Sequence, residues 1–156
     1  MVRQNCRAFT VVELVIVIGV LGILASIAIT AFDGYMLRSK ASEAPIGLGK
    51  LVEGEVAYFH TNQAFTAAGP TNIPPAPQGP TTVDFSIDPR WKLISFDMGQ
   101  KTYFGYQAVI IATNSVNCEA MADLDGNGVS SLYRRNVSSS GNDMNAGGLY
   151  IFDELE

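Results

Sequence analysis

Residues 8–32 read AFTVVELVIVIGVLGILASIAITAF, and the character of this stretch decides how the rest of the chain folds. From Leu14 to Phe32 there are 19 consecutive residues without a charged side chain. At ~1.5 Å per residue a helix of that length spans roughly 28 Å, close to the ~30 Å hydrocarbon core of a bilayer. Arg3 and Arg7 precede the run and Asp33 follows it, so the positive-inside bias predicts a cytoplasmic N-terminus and an exported remainder. A secretory signal peptide shares the basic start, but its apolar region of ~7–15 residues stops at a small-residue cleavage site. Here the run is longer and passes directly into further helical pattern. A simple signal anchor stays open on hydropathy alone.

Glu13 is the one ionisable residue between Ala8 and Phe32. An uncompensated carboxylate is costly in hydrocarbon, though less so near the end of a span. No Lys, Arg or His follows within a helical turn, and Arg7, six residues back, is off the same face. Either the carboxylate sits at headgroup level or another chain supplies its cation. Gly22, Ser26 and Thr30 recur at every fourth position and form a small-residue stripe, widened by Gly19 and Ala25, of the kind that lets membrane helices approach closely.

The stretch Ala8-Phe9-Thr10-Val11-Val12-Glu13-Leu14, with the apolar run after it, resembles the N-terminal signature of type IV pilins and pseudopilins, the class III signal sequence. The likeness extends from about Arg7 to Glu43 and includes Gly22, Tyr35 and the Arg38-Ser39-Lys40 cluster. It implies a leader of residues 1–8, cleavage by a prepilin peptidase between Ala8 and Phe9, and methylation of the new Phe9 amine. That amine would be cationic at neutral pH, methylated or not. Between staggered parallel helices, Glu13 of one subunit could then meet the Phe9 amine of its neighbour, and a wrong stagger would leave both charges buried and unpaired. The resemblance further implies assembly through Phe9, Glu13, Gly22, Ser26 and Thr30. Its partners would be copies of the chain or other pilins, and an inner-membrane assembly platform with a separate ATPase. Lipid would surround the helix before assembly, and an extracellular filament would be the destination. Two positions depart from the family pattern: Ala8 where Gly is usual, and Thr30 where a helix-kinking Pro is usual.

The full chain has 156 residues, enough for one ordinary domain. Charged residues make up only 16%, and the net charge of -5 argues against a nucleic-acid partner, which would need a basic surface. Beyond a span of residues 9–34, residues 35–60 read as an amphipathic helix with apolar positions at Leu37, Ala41, Ala44, Leu48, Leu51 or Val52, Val56 and Phe59. Pro45, with Gly47, Gly49 and Gly54, predicts a kink or loosening near Ala44. Residues 61–102 hold six of the seven prolines and read as a connecting loop anchored by Phe65, Phe85 and Trp91. Strand patterns follow at Tyr103–Thr113, Cys118–Ala122, Val129–Val137 and Gly148–Phe152, so residues 103–156 should form an antiparallel sheet of about four strands. The expected fold class is α+β, a long N-terminal helix packed by its amphipathic half on that sheet, which is also what a pilin fold implies.

The turn Asp123-Leu124-Asp125-Gly126-Asn127-Gly128 sets oxygen ligands at every second residue, as in the start of an EF-hand calcium loop. Arg134 stands where the bidentate acid would be, so a complete loop is excluded. A bare hairpin turn and a weak calcium site at Asp123, Asp125 and Asn127 both stay open. Cys6 would leave with the leader, and Cys118, then alone, could form no intramolecular disulfide, so it reads as a small buried hydrophobe. There is one histidine, His60, and no nucleophile-elbow, zinc-protease or paired-cysteine motif, so an enzyme is not expected. Besides a type IV pilus subunit, two readings remain: a type II secretion pseudopilin, and a signal-anchored periplasmic cation-binding module.

Overall fold

The computed structural model describes residues 9–68, 89–99, 102–141 and 143–153. Helix α1 runs from Val11 to Ala41 and α2 from Glu43 to Asn62. A single helical turn, α3, spans Arg90–Leu93, and four strands follow: β1 (Gly105–Ala112), β2 (Ser115–Ala122), β3 (Ser131–Ser140) and β4 (Asp143–Phe152). The strands form one antiparallel sheet in the order β1-β2-β3-β4. Two units divide the chain, one ending at Met36 and the other running from Leu37 to Glu156.

In the second unit α2 packs on one face of the sheet. The helix buries Ala44, Gly47, Leu48, Leu51, Val52, Glu55 and Phe59, a stripe at three- and four-residue spacing that matches one helical face. Beneath it the inward residues of β2 are Val116, Cys118, Ala120 and Ala122, all fully buried. Their small side chains admit the helix close to the strand. Tyr106 from β1 and Tyr133 and Val137 from β3 flank them. Aromatic contacts close the core: Phe104 meets Tyr133 edge-on at 5.5 Å, and Phe96 lies 4.8 Å from Trp91 and 5.4 Å from Tyr106. Such pairs add to the area they bury.

The break between the helices falls at Ser42, two residues before the expected position. Pro45 is the cause: it has no N–H for the carbonyl of Ala41, and its ring crowds that carbonyl, so α1 ends there while Pro45 sits harmlessly in the first turn of α2. The glycines do not loosen α2 as composition suggests. A Cβ on Gly47 would collide with the Tyr106 ring, and one on Gly54 with the carbonyl oxygen of Ile94. Both glycines are therefore close-approach sites. Within the span expected to be loop, Trp91 is buried and draws residues 90–93 into a helical turn preceded by Pro89. Phe65 is buried as expected; Phe85 lies outside the described residues.

The strand limits differ from the side-chain pattern: β1 is shorter than the expected Tyr103–Thr113, β2 and β4 begin earlier than expected, and β3 both begins and ends later. β2 begins at Ser115, across a two-residue turn from β1. β3 continues through the serine run to Ser140, which pairs with Asp143. Ladder hydrogen bonds are made by backbone, so a polar Ser-rich segment continues a strand its neighbours template. There Ser139 N donates to Asn114 O at 2.9 Å, and Asn114 Nδ2 donates back to Ser139 O at 3.0 Å.

Candidate functional site

The chain's most unusual surface is the N-terminal half of α1. Val11, Val15, Ile18, Leu21, Ile23, Ile27, Ile29 and Phe32 are all exposed, and these positions go all round the helix. An apolar surface of that extent marks a helix meant for lipid or for other helices. The polar groups within it are already satisfied: Ser26 Oγ donates to Gly22 O at 2.9 Å, and Thr30 Oγ1 to Ile27 O at 3.0 Å. Each hydroxyl thus returns its donor to its own helix. The helix is unbroken through Thr30. A Cβ added to Gly19 or Gly22 would meet nothing within 4 Å, so no contact among the described residues requires a glycine at either position.

At the start of the helix, Thr10 and Glu13 form a capping box. Glu13 Oε2 accepts the Thr10 backbone N–H at 2.9 Å and the Thr10 hydroxyl at 2.7 Å, and Thr10 Oγ1 accepts Glu13 N–H at 3.2 Å. The T-x-x-E spacing is the signal for this arrangement, and a search for a cation passes over it. The box answers part of the problem posed by Glu13: one oxygen has local donors, while the negative charge itself is unpaired among the described residues. Ala8, on the other side of the expected cleavage point, lies outside the described residues.

The other candidate residues are not gathered at this end of the chain. Asp123 is buried at the start of the β2–β3 connection, and its oxygens are directed to the loop's own backbone: Oδ1 accepts Gly126 N–H at 2.8 Å and Oδ2 accepts Gly128 N–H at 2.9 Å. Asp125 Oδ1 accepts Asn127 N–H at 3.0 Å, and Asn127 Oδ1 accepts Val129 N–H at 2.6 Å. All three side chains therefore act as turn-stabilising acceptors, with Gly126 and Gly128 at φ 80° and 89°. No group of three or more His, Cys, Asp or Glu side chains is placed to hold a metal among the described residues. Cys118 is buried under α2, and burial first, then the nearby Glu55 and Glu119 carboxyls, pushes its thiol well above the ordinary range. His60 is exposed near the end of α2. On the sheet face away from α2, Glu119 bridges its neighbours: Oε1 is 2.7 Å from Arg134 Nε and Oε2 accepts Gln107 Nε2 at 2.6 Å.

The family model of the prokaryotic N-terminal methylation motif matches residues 3–29. That match covers the capping box and most of the exposed apolar helix. The chain is 40% identical over 63 residues to the fimbrial protein EcpC of Eikenella corrodens, covering 40% of each chain. It is 40% identical over 60 residues to the type IV major pilin protein PilA of Myxococcus xanthus, covering 38% of this chain and 27% of that one. A fimbrial protein of Moraxella nonliquefaciens is 50% identical over 38 residues, 24% of this chain and 25% of that one. The likeness thus spans well under half the length of these relatives. No solved structure matches the chain.

Proposed function

We propose that this chain is a structural subunit of a type IV pilus, made as a membrane-anchored precursor and polymerised through α1. The observation that carries the reading is an exposed, all-round apolar helix whose capping acid, Glu13, has no counter-ion among the described residues, inside a matched N-terminal methylation motif. Prepilin peptidase would cut between Ala8 and Phe9. The amine so created is the cation for Glu13, supplied by the adjacent subunit, and Oε1 is the oxygen left for it, since both capping hydrogen bonds from Thr10 fall on Oε2. Charge pairing then selects the stagger between parallel helices. Gly22, Ser26 and Thr30 would form the seam where neighbouring helices approach, and the absence, among the described residues, of any contact that requires Gly22 to be glycine supports that role.

In this reading the precursor spans the inner membrane with its N-terminus in the cytoplasm, and an assembly platform with a separate ATPase extracts it into the filament. The protein is a building block, not a catalyst. The names of the relatives, all fimbrial or pilin, support a pilus in preference to a secretion pseudopilus. We assign the Asp123 turn a structural role, because its acceptors are already engaged by the loop's own amides.

Mass spectrometry of the mature protein should give an N-methylated Phe9 terminus. Cells carrying Glu13→Gln should yield few or no sheared filaments while the precursor still accumulates in the membrane. Wild-type levels of sheared filament in that variant would refute the assembly mechanism.

A further inference from the structure

Glu55 projects from α2 into the core, where it has no exposed surface. Its two oxygens differ in what they meet. Oε2 accepts the Thr66 backbone N–H at 3.1 Å, while Oε1 has no hydrogen-bond partner among the described residues. Thr66 belongs to the segment 65–68 that follows α2. Phe65 packs its ring 4.6 Å from Phe59, and the Ala68 carbonyl accepts the Ala108 N–H at 2.7 Å. Because β1 is an outer strand, this hydrogen bond fastens the segment as a strap to its outer edge at Ala108. One buried carboxyl therefore ties down a strap that is bonded to a sheet edge.

Among the described residues, no ion pair supplies Glu55 with a counter-charge. Cys118 faces it from β2 as a neutral thiol. Glu119 and Arg135 act on that same thiol, but Glu119 is paired with Arg134, and Arg135 Nε donates to the Gly147 carbonyl at 3.0 Å. From β1, Tyr106 directs its hydroxyl to Glu43. Glu53 and His60, on α2 itself, are exposed, and the strap carries no charge. Burial holds the Glu55 proton on, pushing the carboxyl up to about 7, with the Thr66 N–H acting in the opposite direction.

We propose that Glu55 is a proton-operated latch: neutral, it lies in the core with the strap closed; ionised, it leaves a charged oxygen without a donor, and the strap opens to admit water and release the edge of β1 at Ala108. The latch does not depend on the filament reading, since every group in it lies between Glu43 and Gly147. An open strap returns the carboxyl to an ordinary aqueous environment, so opening should increase about tenfold per pH unit between the ordinary carboxylate range and neutrality, then level off.

The test is hydrogen exchange of the full chain in detergent micelles at about pH 5 and about pH 8, with intrinsic exchange rates divided out. Protection at Thr66 and Ala108 should fall on the order of tens of fold, while the β2–β3 ladder keeps its protection. Glu55→Gln should remove the pH dependence. Equal strap protection at both pH values, pH dependence that survives in Glu55→Gln, or protection lost equally from β2 and β3 would each overturn the latch. Should Glu55→Gln fail to fold, carbon-detected titration of the Glu55 carboxyl in the unmodified chain decides: a midpoint near neutrality supports the proposal, and one near ~4.5 refutes it.

Discussion

Two glycines on α2, two residues apart, should respond to the same substitution with opposite sign. At Gly47 an alanine methyl would overlap the ring and hydroxyl of Tyr106. That ring has nowhere to retreat: Tyr106 is 1% exposed, Phe96 packs 5.4 Å from it, and its hydroxyl bonds the Glu43 carbonyl oxygen and Oε1, each at 3.3 Å. Overpacking of this kind costs ~1–3 kcal/mol, and displacing the hydroxyl forfeits ~1 kcal/mol more. Alanine's helix propensity returns ~1 kcal/mol, so Gly47→Ala should lose about 2 kcal/mol. At Gly49 nothing lies within 4 Å of the added carbon. Only the propensity acts there, and Gly49→Ala should gain up to ~1 kcal/mol. For a folded unit running from Leu37 to Glu156, about 4 °C per kcal/mol puts the Tm shifts near -8 °C and +4 °C. Thermal melts in micelles, followed by the fluorescence of buried Trp91, would measure both. Shifts of the same sign, or an unchanged Tm for Gly47→Ala, would refute the account of Gly47 as a close-approach site.

Other expectations follow from the same packing. Tyr106→Phe keeps the ring and removes the hydroxyl with its bonds to Glu43, so it should cost ~1 kcal/mol in denaturant unfolding. Arg134→Ala removes the partner of Glu119 on a half-exposed sheet face and should cost ~0.5–1 kcal/mol, with the loss shrinking at high salt. Cys118 should resist alkylation at neutral pH in the folded protein and react fully in denaturant, because burial raises the thiol's proton affinity and blocks access. For Glu55 the sign is that of a raised carboxyl: the folded state keeps a proton that the unfolded chain releases above ~4.5. Its stabilising effect is therefore greatest in acid, falls as pH rises, and is gone above about 7. The Tm of the unmodified chain relative to Glu55→Gln should decline across that window and then stay level.

What could be read without coordinates was local or periodic. An uncharged run between Leu14 and Phe32 must be a helix in lipid or in a helical bundle, since backbone groups in an apolar medium need internal partners. The α2 stripe and the four strands announce themselves by spacing, and the T-x-x-E at Thr10 was legible too, because a capping box is made by four consecutive residues. Pro45 ends α1 by a rule that acts over one turn: counting back four residues gives Ala41, the last residue of α1.

Other features depend on residues distant in sequence. Gly47 and Gly54 look like helix weaknesses until Tyr106 and Ile94 come within reach of them. Glu55 sits on a face that periodicity marks as apolar, and only the strap at Thr66 and the placement of Cys118 show a carboxyl sealed in the core with one oxygen lacking a donor. The Asp123 turn is the exception, since its oxygens are directed to amides three and five residues on, a local arrangement whose spacing it shares with a cation loop. Sequence by itself determined where the chain must be apolar and where it must turn. Tertiary structure decided which groups lose water together, because desolvation and close contact are set by neighbours that chain order does not reveal.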